Sequence, residues 1–289
     1  MSTLHRLGFI GIGKMGWPMA SRLHKAGLAV TVADADAAVV SRFVAGHPGA
    51  LAASGPESYG GVDALILMLP TSDIVEAVLS GGKTAAALRA GTLVVDMSSS
   101  VPTRTRDLAA RLADRGLRFV DAPVSGGVRG AIAGRLAILA GGEQADLDEL
   151  APVFAPLAGT VIAVGPVGSG HAAKALNNLV SAATISVTVE ALRLGERFGI
   201  SPAIMTEVLN SSSGRSNTSE NKVAQFMTSG TFASGFALQL MAKDVGIAVD
   251  LADALGQEAQ VSREVSRQWH RIAGQVTAEA DHTRMYELI

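Results

Sequence analysis

Short β-rich apolar runs alternate with amphipathic, alanine-rich stretches from Arg6 to about Gly165, and the β pattern then stops. The predicted strands are Leu7–Ile10, Val30–Ala33, Ala64–Met68, Leu93–Asp96, Arg118–Asp121, Ala137–Ala140 and Thr160–Val164. The predicted helices between them are Trp17–Ala26, Asp36–Ala45, Ser72–Leu79, Pro102–Arg115 and Gln144–Phe154. Strands separated by helices are typical of βαβ units, so we expect an α/β fold with a doubly wound parallel sheet here.

Only helical patterns remain after Gly168. The predicted helices are Gly170–Phe198, Pro202–Leu209, Asn221–Thr228, Leu238–Leu255 and Gln260–Ala273, with Asn210–Ser219 as a loop or the opening of a helix. The first of them is apolar on most sides, so it needs cover from several directions. We therefore expect a second helical layer or a partner subunit, and we predict a homodimer or homotetramer.

Composition excludes several classes of function. The chain has 289 residues, of which 48% are hydrophobic and 17% charged, a balance that supports a folded core rather than disorder. A formal charge of −2 lacks the basic excess that nucleic-acid binding requires. There is no cysteine, so disulfides, thiolate metal sites and cysteine nucleophiles are excluded, and we expect no bound metal. The apolar stretch Leu7–Ile12 is too short for a signal core or a membrane span, so we expect no membrane association and a cytoplasmic location.

A glycine-rich motif directly follows the first predicted strand and opens a helix at Trp17. Its residues are Gly11, Ile12, Gly13, Lys14, Met15 and Gly16. In such a motif the first glycine allows a tight turn, the second lets the backbone approach a pyrophosphate, and the third permits close packing of helix on strand. The helix N-terminus then faces the anion. This context predicts a dinucleotide-binding site of the Rossmann type.

The end of the second predicted strand bears on the choice of cofactor. Asp34 lies 18 residues after Gly16, where a carboxylate accepts hydrogen bonds from both ribose hydroxyls but repels a 2′-phosphate. The next residue is Ala35 rather than an arginine that could hold that phosphate. NAD is therefore the preferred cofactor, with NADP possible. The alternative is an aspartate that merely ends a strand. We predict a dinucleotide-binding Rossmann domain over residues 1–165, and an all-helical substrate and dimerisation domain, built on one long helix, over residues 166–289.

A second glycine-rich segment, Asp121–Ala131, follows a later strand of the same predicted sheet. Ser125, Gly126 and Gly127 expose backbone N–H groups and a hydroxyl without obstruction by side chains, a composition that suits a carboxylate-binding turn. The alternative is a flexible turn. Because ligands bind at the strand ends of doubly wound sheets, we favour substrate binding here.

The long predicted helix begins with Gly168–Asn178, which carries two polar residues on one face. Lys174 and Asn178 are neighbours at i and i+4, and Gly170 is expected to leave space for a ligand one turn earlier. A lysine on such an apolar helix either extends to the surface or acts in a pocket as a proton donor and acceptor. His171 is a second candidate base, although a histidine near a helix N-terminus is commonly just exposed.

Together with Lys243 and Asp244 on a later helix, these segments resemble the β-hydroxyacid dehydrogenase family, which includes 3-hydroxyisobutyrate dehydrogenases and tartronate semialdehyde reductases. The resemblance covers nearly the whole chain in order and spacing. It implies hydride transfer between a nicotinamide dinucleotide and a small β-hydroxy acid or its semialdehyde, with Lys174 as the catalytic acid and base. It further implies that Ser125, Gly126 and Gly127 bind the substrate carboxylate, that Asn178 orients the substrate, that Leu69, Pro70, Ser99 and Lys243 contact the cofactor, and that Phe236 and Asp244 help to close the site. Ser99 stands where the family has threonine, in the segment Asp96–Ser99.

Three alternatives remain open. The resemblance also admits a tartronate semialdehyde reductase. An imine reductase or a noncatalytic dinucleotide-binding module would share the first motif and the helical half. Lys174 argues against both, since imine reductases of this general shape lack that lysine and a binding module has no need of it. Arg129 and Arg215 could recognise a second carboxylate or a polyol, or could simply be solvated, so the sequence leaves the substrate's side chain undecided.

Overall fold

The computed structural model describes residues 4–80 and 83–289 of this chain. The chain folds into two compact units, Met1–Lys174 and Ala175–Ile289. This division lies inside a single long helix, α8 (Ser169–Phe198), rather than at the glycine-rich segment before it. The first turn of α8 belongs to the first unit because Gly170 packs directly on strand residues of the sheet. The predicted boundary between residues 165 and 166 stays a prediction.

The first unit contains the sheet and the helices that cover it. Its strands are β1 (Arg6–Ile10), β2 (Ala29–Ala33), β3 (Leu51–Ala52), β4 (Ala64–Leu67), β5 (Leu93–Asp96), β6 (Arg118–Asp121), β7 (Val124–Ser125), β8 (Leu136–Gly141) and β9 (Ala158–Gly165). Its helices are α1 (Gly16–Lys25), α2 (Ala37–Gly46), α3 (Ser72–Ser80), α4 (Lys83–Ala87), α5 (Pro102–Ala113), α6 (Gly127–Ala133) and α7 (Gln144–Phe154), with a 3₁₀ turn at Pro56–Tyr59.

The strands follow the order β3-β2-β1-β4-β5-β6-β8-β7, and β9 pairs with β8. Neighbours from β3 to β6 are parallel, which confirms the predicted doubly wound fold. The strand β8 departs from this parallel pattern, because it runs antiparallel to β6 and β7. The reason lies in the connection between β6 and β8, which holds the short strand β7 and the seven-residue helix α6 instead of a full crossover helix.

The central strands β1, β4, β5 and β6 are almost wholly buried, as parallel strands covered by helices on both faces require, whereas most residues of β9 are exposed. In β4, Ala64 and Ile66 pack into one core cluster with Phe9 and Phe154, whereas Leu65 and Leu67 pack into a second cluster on the opposite face. Two-residue strands such as β3 and β7 and short helices such as α4 and α6 were not predicted, because they are too short to show a periodic pattern.

The second unit is helical within its described residues, which confirms the predicted fold class. Besides the rest of α8 it contains α9 (Pro202–Asn210), α10 (Asn217–Asn221), a π-helical segment (Val223–Met227), α11 (Leu238–Ala254), α12 (Gln260–Ala273), a 3₁₀ turn (His282–Arg284) and α13 (Met285–Leu288). The predicted helix Asn221–Thr228 is wrong in its start and its type. Ser216 and Ser219 form a reciprocal capping box that begins α10 earlier, and the chain then continues as the π-helix.

The core of this unit forms on one side of α8. Ile185, Val189 and Leu192 lie on its buried face and pack with Trp269, whose indole N–H donates to Ser186 Oγ at 3.1 Å. By length and composition alone, α8 would also qualify as a membrane span, and no other described helix does. One such helix is weak evidence, and 44% of its most apolar stretch is buried inside the protein.

Candidate active site

The predicted cofactor residues of the first unit follow neighbouring parallel strands in the order in which those strands lie in the sheet. Asp34 follows β2, Gly11 follows β1, Leu69 comes just after β4 and Ser99 just after β5, and Asp121, which opens the predicted substrate segment, ends β6. Because the carboxyl ends of parallel strands meet at one edge, the fold brings these residues, spread over the first half of the sequence, to the same edge of the sheet. Such an edge is where doubly wound sheets bind ligands.

The three motif glycines lie in three different environments. Gly11 has a φ of 94°, and a Cβ there would lie 2.3 Å from the Met68 carbonyl oxygen. A Cβ on Gly16 would lie 1.9 Å from the Gly11 carbonyl oxygen, so the first turn of α1 packs tightly against the turn before it. At Gly13 a Cβ would meet nothing within 4 Å. The backbone at Gly13 is therefore open to an approaching group, as pyrophosphate binding requires.

The carboxylate of Asp34 is oriented by the loop that carries these glycines. Its Oδ2 accepts the Ile12 N–H at 2.8 Å, and its Oδ1 accepts the Asp36 N–H at 3.0 Å. A carboxylate has about four lone-pair positions, so Asp34 can still accept two hydroxyl protons. The residues present thus fit a dinucleotide with its ribose at the end of β2.

A buried carboxylate shapes the next two turns of this edge. Asp96 ends β5 and accepts the Ser98 N–H at 2.9 Å and the Ser100 hydroxyl at 2.7 Å, which folds the turn that carries Ser99. The Leu69–Pro70 turn donates its first N–H to Ser98 Oγ at 2.9 Å. The structure thereby joins the two turns that were predicted to contact the cofactor.

The predicted carboxylate-binding turn lies where β7 ends and α6 begins. Ser125 pairs with Ala137 of β8, and Gly126 and Gly127 have φ values of 125° and 61°, in the left-handed region that favours glycine. A glycine turn at the start of a helix leaves backbone N–H groups unobstructed by side chains, which suits a carboxylate. Binding of substrate here stays a prediction.

The first turn of α8 is bonded to the end of β6. Asp121 accepts the Gly168 N–H at 2.7 Å through Oδ1 and the His171 N–H at 2.8 Å through Oδ2. Lys174 follows one turn later and is only 7% exposed, so the alternative of a lysine that extends to the surface is wrong. A lysine buried to this degree is rare in proteins and is a candidate for chemistry.

The expected ligand space at Gly170 does not exist. A Cβ there would lie 2.3 Å from the Leu139 carbonyl oxygen and 2.7 Å from the Asp121 carbonyl oxygen. Glycine is therefore needed because the helix backbone packs directly against the ends of β6 and β8. The sequence drew attention to the glycine at position 170, but it did not reveal the close packing that requires glycine there.

His171 is buried, with 1% exposure, which contradicts the reading of a merely exposed histidine. Its Nδ1 lies 2.8 Å from Thr105 Oγ1, and its ring lies between Asp96 and Asp121, with Nε2 3.7 Å from Asp96 Oδ2 and Nδ1 3.8 Å from Asp121 Oδ2. Burial raises the pKa of Asp121, against the opposing effects of the His171 ring and of the two N–H donors.

In residues 4–80 and 83–289 no group of three or more His, Asp or Glu side chains could hold a metal ion.

Three of the predicted residues meet in the second unit, although Asn178 is 66 positions from Asp244. Asn178 Nδ2 donates to Asp244 Oδ2 at 2.6 Å, and Asn178 Oδ1 accepts from Asn177 Nδ2 at 3.1 Å. Lys243 Nζ lies 3.4 Å from the other oxygen of Asp244. These bonds set the orientation of the Asn178 amide, which keeps one further N–H and one further lone pair.

Sequence reasoning missed the residue that holds Phe236 in place. Asp281 accepts the Gly235 N–H at 2.8 Å and the Phe236 N–H at 3.3 Å, and His282 donates its N–H to the Phe236 carbonyl at 2.9 Å. Burial raises the pKa of Asp281, but hydrogen bonds from Thr283 and Ser234 outweigh it, so the pKa lies below its ordinary value. No local pattern reveals this contact, because the partners lie about 45 residues apart.

Two family models together match nearly the whole chain. Residues 6–165 match the NAD binding domain of 6-phosphogluconate dehydrogenase, and residues 168–289 match the NAD-binding domain of NADP-dependent 3-hydroxyisobutyrate dehydrogenase. With the glycine turn at the edge of a doubly wound sheet, these matches define a nicotinamide-dependent oxidoreductase.

Curated relatives and solved structures point to the same class of enzyme. The chain is 41% identical to 2-(hydroxymethyl)glutarate dehydrogenase of Eubacterium barkeri over 85% of this chain and 81% of the relative. It is 34% identical to NAD-dependent L-serine dehydrogenase of Pseudomonas aeruginosa over 99% and 98% of the two chains. The structure of Mycobacterium tuberculosis 3-hydroxyisobutyrate dehydrogenase with L-serine matches with a TM-score of 0.92 at 31% identity, over 99% of each chain. This chain belongs to the β-hydroxyacid dehydrogenase family and is an NAD(P)-dependent oxidoreductase of small β-hydroxy acids.

The glycine environments separate cofactor binding from folding. Gly13→Ala places a methyl group in open space, so we expect unchanged thermal stability but at least about tenfold weaker NADH binding, since the methyl group would stand where the pyrophosphate approaches. Gly16→Ala is the matched comparison, and its Cβ collides with backbone, so it should also lower the melting temperature. Melting curves and NADH fluorescence titrations measure both effects. NADH affinity at the wild-type level in Gly13→Ala would contradict the assignment.

Proposed function

We propose that this protein oxidises a 3-hydroxyisobutyrate-like β-hydroxy acid with NAD, using Lys174 as the acid and base. The observation that carries the proposal is the burial of Lys174 in a helix turn bonded to the same segment that leads into the Ser125–Gly127 turn. Both features lie in the unit that carries the dinucleotide turn.

Each residue of the proposed site has one task. Ser125, Gly126 and Gly127 hold the substrate carboxylate, Asn178 orients the substrate, and Lys174 exchanges a proton with the hydroxyl oxygen. The nicotinamide, when bound, takes up or returns the hydride. In oxidation the neutral Lys174 amine accepts the hydroxyl proton; in reduction its ammonium donates that proton to the carbonyl oxygen. Holding the carboxylate and the amine in fixed places supplies much of the rate by positioning.

The preference for NAD rests on charge at the end of β2. Asp34 and Asp36 place two carboxylates there, and Ala35 offers no cation for a 2′-phosphate. One relative is an NAD-dependent L-serine dehydrogenase, which supports the same preference. The Gly11–Gly16 segment, the Leu69–Pro70 turn, Ser99 and Lys243 would hold the rest of the cofactor.

A second candidate substrate is a dicarboxylic β-hydroxy acid, which the 41% identity to 2-(hydroxymethyl)glutarate dehydrogenase favours. Arg129 is exposed on α6, and the exposed Arg215 lies 3.6 Å from Glu220. Either guanidinium could receive a second carboxylate. Imine reduction has weaker support, because the imine reductase structures are under 25% identical and share the fold alone.

Turnover of a substrate panel tests the proposal. For oxidation the panel contains 3-hydroxyisobutyrate, L-serine, glycerate, threonate, 4-hydroxybutyrate and 2-(hydroxymethyl)glutarate. For reduction it contains tartronate semialdehyde and a cyclic imine. The absorbance of NADH measures turnover in both directions. We expect the highest kcat/KM with 3-hydroxyisobutyrate.

Lys174→Ala should lower turnover by about 10²–10⁴-fold while NADH still binds, since only proton transfer is lost.

The matched control for that variant is Lys25→Ala, which removes an exposed lysine from α1 and should leave turnover unchanged. Wild-type turnover in Lys174→Ala would refute the role of Lys174. Tartronate semialdehyde as the best substrate would favour the reductase alternative, and reduction of the imine alone would favour an imine reductase.

The choice between NAD and NADP can be reversed by charge. Asp34→Ala combined with Ala35→Arg removes the carboxylate that repels a 2′-phosphate and adds a cation that binds one. We expect the ratio of kcat/KM for NADP to that for NAD to rise by at least about tenfold. Ala35→Ser is the control that changes the neighbouring residue without charge. An unchanged ratio in the double variant would show that the ribose lies elsewhere.

We further propose that two copies associate through the outer face of α8. Leu176, Val180, Val187, Leu194 and Phe198 are exposed apolar residues that recur at spacings of four and seven along the helix. A stripe of this kind is typical of a helix that packs against another subunit.

We also propose a cytoplasmic location. The chain has no cysteine, so it forms no disulfide that would need an oxidising compartment.

Light scattering tests the association. Wild-type protein should have at least twice the chain mass of 29.6 kDa. Val187→Asp with Leu194→Asp places two charges in the stripe and should yield monomers, whereas Leu255→Asp, at an exposed leucine outside α8, should not. A monomeric wild type at high concentration would overturn the proposal.

A further inference from the structure

The helix that carries Lys174 begins without a capping side chain of its own. Residue Gly168, just before α8, has a φ of 89° and no side chain, so nothing at this position can accept the free N–H groups of the first turn. Unpaired buried N–H groups destabilise a helix start, and they are normally satisfied by a Ser, Thr, Asp or Asn at this place. Here the acceptor comes from elsewhere in the chain.

Asp121, 47 positions earlier, supplies that acceptor. One carboxylate oxygen takes the Gly168 N–H and the other takes the His171 N–H, which are the two donors that a local capping box would satisfy. The negative charge also lies at the positive end of the helix dipole. Asp121 is fully buried, so both bonds form away from water.

The contact tolerates little movement. A Cβ on Gly141 would lie 2.5 Å from Asp121 Oδ1, and a Cβ on Gly170 would lie 2.3 Å from the Leu139 carbonyl oxygen. His171 closes the other side, with its ring held by Thr105 Oγ1 at 2.8 Å. The first turn of α8 is thus confined between two strand ends and a buried imidazole.

This arrangement joins two parts of the proposed chemistry. Asp121 lies four residues before Ser125 in the segment proposed to bind the substrate carboxylate, and it bonds the turn that immediately precedes Lys174. The distance between the substrate anchor and the amine therefore depends on these two hydrogen bonds.

We propose that Asp121 is a positioning residue for Lys174, setting the place of the amine relative to the Ser125–Gly127 turn by capping α8 from β6. The inference rests on the proposed function of Lys174. Asp121 itself exchanges no proton with the substrate.

Asp121→Asn tests this inference in the full-length enzyme. The amide keeps one acceptor but turns an NH₂ group toward the second N–H, so one cap bond and the charge are lost while the shape is kept. We expect kcat to fall by about 10- to 100-fold, with the NADH dissociation constant within about twofold of wild type. The primary deuterium isotope effect on kcat should rise, because a displaced amine slows the chemical step.

Asp146→Asn is the matched control. Asp146 is another buried aspartate of the same unit, bonded to Arg118 Nη1 at 2.8 Å in the first turn of α7, and it has no part in the proposed site. It should lower the melting temperature while kcat and the isotope effect stay at wild-type values. If Asp121→Asn does not fold, Asp121→Ser, which keeps an acceptor oxygen in a smaller side chain, carries the same expectation.

Two results would overturn the inference: a folded Asp121→Asn with wild-type kcat, or an equal loss of kcat in Asp146→Asn. Failure of the proposed function is distinguishable, since it would show as full turnover in Lys174→Ala. If Lys174→Ala is inactive and Asp121→Asn is fully active, the positioning role of Asp121 is refuted and the proposed role of Lys174 stands.

Discussion

The hydrogen bonds between Asp121 and the first turn of α8 are the constraint on which the rest of the proposed chemistry depends. They tie the helix that carries Lys174 to the sheet edge where the residues proposed to bind the cofactor lie. Because the carboxylate is buried and no solvent competes for it, each bond is worth more than it would be at the surface. The glycines on both sides follow from this contact, since any Cβ would separate helix from strand.

Aspartate side chains that accept several hydrogen bonds also lie at other strand ends along this edge of the sheet. Asp34 follows β2, Asp96 ends β5 and Asp121 ends β6, and each accepts at least two hydrogen bonds from the segments that follow or approach it. Loops at the end of a parallel strand have N–H groups that the sheet does not pair, and a carboxylate satisfies two of them at once. The loops proposed to bind the cofactor and the substrate are therefore shaped before either ligand arrives.

Much of this could be predicted from local pattern. Alternating apolar runs located the main strands, and periodicity located α8, α11 and α12 to within one or two residues at each end. The antiparallel direction of β8 could not be predicted, because strand direction depends on the connection and not on the strand's own residues. His171 shows the same limit: its residue type and helical position suggested exposure, whereas packing against Thr105, Asp96 and Asp121 buries it.

The sequence by itself determined the two-part fold, the dinucleotide turn at Gly11–Gly16 and the candidate amine at Lys174, because periodicity and glycine spacing are local properties of the chain. Only the tertiary structure decided what surrounds those residues: that Gly170 is packed against a strand, that Asp121 caps α8, and that Asn178 is oriented by Asp244. Contacts across 47 to 66 positions depend on how the elements pack, and no local pattern records that.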